Sequence, residues 1–131
     1  MEIKPTKAFL IDVSKRSISE IEIRDYTQIS LYIGQECDYF TCPISWANGD
    51  TLYADDEGLF HSINGGIVVP DLNQIIVGNV VILGANMKTG ASRDVRFTKE
   101  EISKLFYFIS AEQARAYAEK VCSGGSAFIM Q

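Results

Sequence analysis

Basic residues are missing from the middle of this chain. After Arg24 the next Lys or Arg is Lys88, so positions 25 to 87 contain none. Cysteine is scarce as well, with only Cys37, Cys42 and Cys122. Three irregularly spaced thiols cannot make a disulfide framework, and Cys37-x4-Cys42 is neither a redox C-x-x-C nor a zinc-ribbon pair. The spacing predicts half-buried thiols around one strand, and the odd count fits a reducing compartment. Long apolar runs are also absent. The most apolar stretch, Ile75 to Ala85, is broken by Gly78 and Asn79, and a bilayer span takes about 20 residues. The first apolar run, Ala8 to Ile11, stops at Asp12, far short of a signal-peptide core. These absences predict a soluble cytoplasmic protein with no membrane partner.

The 131 residues are enough for one ordinary domain that buries its own core without a staple. Acids outnumber bases 17 to 12, for a net charge of −5. That balance repels phosphate backbones, so no nucleic-acid partner is expected. The base-free stretch holds Asp25, Glu36, Asp38, Asp50, Asp55, Asp56, Glu57 and Asp71. One reading is a solvated surface that keeps the protein soluble. The other is a single acidic face for a basic partner or a cation.

Periodicity divides the chain into short elements. Lys7 to Val13 reads as an apolar strand, and Ser17 to Arg24 as an alternating one with a slip near Glu20 that suggests a bulge. Asp25 can cap a short helix ending at Gly34. Cys37 to Ile44 and Thr51 to Ala54 flank Asn48-Gly49-Asp50, a strong hairpin signal. Next come a helical turn at Leu59 to Ile63, a short run at Ile67 to Val69, a doubly buried strand at Gly78 to Leu83 and a strand at Arg93 to Phe97. Thr98-x-x-Glu101 and Ser110-x-x-Gln113 are capping boxes, opening helices at Lys99 to Phe108 and Ala111 to Cys122. The sum is an α+β fold: a mixed or mostly antiparallel sheet of five to six strands, a short N-terminal helix and two C-terminal helices. Residues 1–97 are expected to form the core, 98–123 a helical hairpin packed on it, and 124–131 a flexible or docking tail. That tail, with Ala127 to Met130 apolar, offers a route to a homo-oligomer through the last helix.

Several blocks carry a family resemblance. These are Ala8-Phe-Leu-Ile-Asp12, an Ile-x-Glu-Ile segment, Tyr32-Ile33-Gly34, Leu52-Tyr-Ala-Asp-Asp-Glu-Gly-Leu59 and Ile76-Val-Gly-Asn-Val-Val-Ile-Leu-Gly84. As an ordered set, spanning Ala8 to about Phe97, they resemble an uncharacterised domain family (a domain of unknown function) of phages, plasmids and related bacterial elements. The resemblance implies a mobile-element context in a bacterial host and no particular activity. It also implies a polar Asn segment after the acidic block, which Asn64 would occupy.

The site candidates are Asp55, Asp56, Glu57, His61, Asn64, Trp46 and Tyr53. On an extended chain Asp55 and Glu57 share one face, where two carboxylates can hold a cation or shift each other's pKa. The plainer reading is an acidic turn in which Asp55 or Asp56 caps Gly58 to Ser62. His61 lies four residues after Glu57, at the spacing of a helical ligand or base pair; the plainer reading is a surface or semi-buried histidine. Trp46 and Tyr53, with Tyr39 and Phe40, read as core or cross-strand pairs, or as an aromatic patch for a basic or stacked ligand. No cofactor, resident metal or catalytic set is expected. The leading expectation is a non-enzymatic accessory protein that binds a host or phage protein through an acidic, aromatic face. The alternatives are a metal-dependent hydrolase using Asp55, Glu57 and His61, and a module that sequesters a small nucleotide ligand.

Overall fold

A computed structural model describes residues 5–25, 27–34, 37, 39–60, 63–85 and 92–122. In it the chain is α+β, as the patterning predicts. The elements are β1 (Thr6–Asp12), β2 (Ser17–Ile23), α1 (Thr27–Ile33), β3 (Phe40–Ser45), β4 (Asp50–Asp55), a 3-10 turn (Gly58–Phe60), β5 (Gly66–Val69), β6 (Gln74–Val77), β7 (Val80–Ala85), β8 (Ser92–Arg93), α2 (Lys99–Ser103), β9 (Tyr107–Ile109) and α3 (Ala111–Cys122). Six strands form one sheet, ordered β2-β1-β7-β4-β3 with β8 on the end of β7; β6-β5-β9 form a second. Every pairing is antiparallel.

The layers follow from the side-chain parity of strands. In β7, Val80 and Ile82 face the small sheet, where they join Phe9, Ile11, Leu52, Ile67 and Val69 in the largest core cluster. Val81 and Leu83 face the other way, onto Ile29 and Ile33 of α1. The outer face of the small sheet, with Val77 and Ile109, is covered by Ala114 and Tyr117 of α3. The order is therefore α1, large sheet, small sheet, α3. A central strand covered on both faces has no wet side, and this is why residues 80 to 83 are apolar without alternation.

The same double cover removes the bulge expected in β2. Its pairing with β1 runs without a break from Ile23 against Thr6 to Ser17 against Asp12. Ile18 packs on the sheet–sheet core, and Ile21 and Ile23 pack toward α1. Both parities can be apolar where both faces are covered, so the slip in alternation is no slip in register. The irregularity lies in β3, where the register shifts between Thr41 and Ile44. Pro43 sits there, tolerated because β3 is an edge strand.

Three other expectations change. The helix from Lys99 stops at Ser103, and Tyr107–Ile109 becomes β9, pairing with β5. The apolar residues of this segment still pack inward: Ile102, Phe106 and Ile109 are buried and Leu105 is half-buried. A strand edge simply outcompeted three more helical residues of aromatic and β-branched type. The described part of the expected hairpin, residues 98–122, is thus two helices with a strand between them, not a plain helical hairpin. Ile67 to Val69 is half of a β5–β6 hairpin, turned by Pro70 to Asn73 with Asn73 at φ 52°, a left-handed position that Asn tolerates. The strand expected at Arg93 to Phe97 shrinks to Ser92–Arg93, because the Asp50 carboxylate takes the Arg96 and Phe97 amides that a strand partner would need. The tail 124–131 lies outside the described residues.

Candidate functional site

The acidic block forms the mouth of a cleft. Asp55 is the last residue of β4, and its Oδ1 accepts the Glu57 N–H at 3.0 Å, an Asx turn that starts the 3-10 turn. The Asp56 N–H donates to the Tyr39 carbonyl at 3.0 Å, which ties this turn to the start of β3. All three acids line a cleft of about 190 Å³, with Pro43, Leu59, Ile75 and Tyr117 among its apolar walls. Asp56 and Glu57 are exposed, and the described lining contains no Lys or Arg. Burial pushes the Tyr117 hydroxyl up, partly offset by a hydrogen bond with Gln74.

Of the other candidates, the described ones (Asn64, Trp46 and Tyr53) do not join them there. Asn64 is exposed and is not part of the lining. His61 lies outside the described residues. Trp46 is half-buried against the sheet–sheet core, edge-on to Phe97 at 5.6 Å, and its Nε1 donates to Asp71 Oδ2 at 2.9 Å. Tyr53 faces the α1 side, edge-on to Phe40 at 5.4 Å. Burial, and then nearby Cys42, push its hydroxyl up. Trp46 and Tyr53 therefore sit on opposite faces of the large sheet and share no patch. Tyr39, at 72% exposure, is the aromatic residue that the backbone brings beside the acidic turn.

The acids of the base-free stretch have separate duties. Asp25 accepts from the Thr27 N–H at 2.8 Å and from its hydroxyl, capping α1. Those bonds hold its carboxyl below the usual range. Asp71 holds Trp46. Asp50 is completely buried and is the residue whose role the sequence hides behind its hairpin turn. Its carboxylate accepts the backbone N–H of Arg96 at 3.0 Å and of Phe97 at 2.8 Å. Arg93 Nη1 approaches at 3.2 Å and also donates to the Asp94 carbonyl at 2.6 Å; Nη2 donates to the Asn48 carbonyl. Glu36 and Asp38 lie outside the described residues. One acid of the stretch is thus neutralised internally by an arginine from the C-terminal part.

The thiols differ from the half-buried pair expected: Cys37 is buried and Cys42 exposed. Among the described residues no three His, Cys, Asp or Glu side chains are grouped to hold a metal ion. No described helix is long and apolar enough to cross a membrane. No family model, curated protein or solved structure matches the chain.

Proposed function

We propose that this is a non-enzymatic binding protein that docks a basic segment of a partner protein on the cleft at Asp55, Asp56 and Glu57. The observation that carries the reading is three consecutive carboxylates opening onto apolar walls in one small cleft. Its volume of about 190 Å³ is below the roughly 300–1,000 Å³ of pockets that enclose whole small ligands. It suits one long side chain instead. A partner's Arg or Lys would lay its stem on Leu59 and Ile75 and its charged head among the carboxylates. Tyr39 beside the turn adds an exposed ring for cation–π or apolar contact. The resemblance to small proteins of phages and plasmids makes a host protein in the bacterial cytoplasm the natural partner.

Affinity capture from a host lysate at low and high salt tests this. Capture of a basic-surfaced protein at about 50 mM salt that weakens steeply by about 500 mM supports it, since exposed charge pairs are screened at that ionic strength. Asp56→Lys with Glu57→Lys should lower the affinity for that protein by about tenfold or more. Capture that is insensitive to both salt and charge reversal would sink the reading.

A further inference from the structure

A second cleft has the opposite character. It lies where β1, β2 and the segment 95–99 meet, with a volume of about 470 Å³. That falls within the range of pockets that hold small molecules, unlike the acidic cleft. Lys7, Arg96 and Lys99 line it, against the single carboxylate of Glu20. A chain of net charge −5 thus gathers an excess of two positive charges in one concavity. The floor is apolar, with Phe9, Ile18, Val95 and Phe97. Lys7 Nζ stands 5.7 Å from the centre of the Phe9 ring and 3.5 Å from Glu20 Oε1.

The wall of this cleft is fastened before any ligand arrives. Asp50 holds the Arg96 and Phe97 amides. The Val95 N–H donates to the Lys7 carbonyl at 2.9 Å, and the Lys7 N–H donates to Asp94 Oδ1 at 2.9 Å. The Thr98 N–H is taken by Glu101. The main chain from Val95 to Thr98 therefore has no amide left for an anion. Recognition falls on three cationic side chains at the rim and on the apolar floor between them. That combination suits a ligand with a multiply charged anionic end and a flat apolar body. A bare anion would leave the floor empty, and a neutral ring would leave the cations idle.

We infer that this cleft binds a small phosphorylated ligand of the nucleotide class, with phosphate at Lys7, Arg96 and Lys99 and the base over Ile18 and Phe97. The site is independent of the acidic cleft and does not rest on that reading. Register places the two at opposite ends of the strands: Ala8 pairs with Leu83 near one end of β7, and Ala54 with Val80 at the other. Isothermal titration of the full chain with ADP, AMP, adenosine and inorganic phosphate tests it. ADP should bind at least tenfold more tightly than either adenosine or phosphate. Lys99→Ala and Arg96→Ala should each weaken ADP by roughly two- to tenfold. Glu20→Gln should tighten it, because the opposing carboxylate is gone and Lys7 is released; a merely structural Glu20 would not produce a gain. Absence of ADP binding at millimolar concentration, equal binding of ADP and phosphate, or an unchanged affinity in the Lys99→Ala/Arg96→Ala double variant would each overturn the inference.

Discussion

Two aspartates illustrate how much one carboxylate depends on its surroundings. Asp12 ends β1, and its Oδ1 accepts the Ser14 N–H at 3.0 Å, the Ser14 hydroxyl at 2.8 Å and the Lys15 N–H at 3.0 Å. Burial pushes its carboxyl up, but these bonds and the Lys15 charge together outweigh that and hold it below its ordinary value. A folded-state pKa below the unfolded one stabilises the fold above the unfolded value, near 3.9. The contribution disappears as pH falls through the lower folded value. Asp12→Asn should therefore cost stability at neutral pH, by about 1 kcal/mol, a deficit that begins to shrink as pH falls below the unfolded value and is gone only below the folded one. Urea midpoints followed from about pH 7 down to about pH 2 measure both; a deficit that does not shrink as the pH falls would contradict the assignment. Asp50 is the harsher case. Truncating one partner of a buried ion pair leaves the other uncompensated, so Asp50→Ala should cost about 3–5 kcal/mol. A loss below about 1 kcal/mol in urea unfolding would show that the carboxylate does not fasten Arg96 and Phe97. The close packing here also fixes Gly84. A Cβ on it would stand 2.6 Å from the Asp94 carbonyl oxygen, too near for any substitution without moving the backbone.

At the scale of elements, the features set by neighbouring residues are those readable from sequence. Both capping boxes form as spaced: Thr98 N–H to Glu101 at 2.9 Å with Glu101 N–H to Thr98 at 3.1 Å, and Ser110 N–H to Gln113 at 2.9 Å with Gln113 N–H to Ser110 at 3.0 Å. Ser110→Ala and Thr98→Ala should each destabilise by about 1 kcal/mol. Because Ser110 opens the longest described helix, its loss should also lower helical circular dichroism before global unfolding. Equal melting curves for wild type and both variants would argue that packing alone holds these ends. The features that sequence did not reveal depend on partners distant in the chain. Tyr107–Ile109 carries apolar residues that serve a helix or a strand equally well, and the open edge of β5, far earlier in the chain, decides between them. The aromatic grouping around Tyr53 failed for a related reason. Trp46 and Tyr53 are close in sequence, but strand parity across the hairpin sends them to opposite sides of a sheet. The acidic turn was legible because its three residues are consecutive, and the apolar walls of its cleft were not, because they come from β3, β6 and α3.

For the molecule as a whole, the consequence is a single strand shared by two cores. Val80 and Ile82 of β7 belong to the core between the sheets, and Val81 and Leu83 to the core beneath α1. All four are completely buried. Neither core can lose this strand without opening the other, so the α1 layer and the sheet–sheet layer should unfold together. Trp46 packs on the sheet–sheet side and reports on that core by fluorescence, whereas far-ultraviolet dichroism reports on backbone order throughout. The two urea transitions should coincide in the wild type. Leu83→Ala lies on the α1 side and should cost about 2–5 kcal/mol. It should nevertheless shift the Trp46 transition by the same amount as the dichroism. A dichroism transition that moves while the fluorescence midpoint stays in place would mean that the two cores are separable. The strand pairing would then have to be held by its hydrogen bonds and one covered face alone.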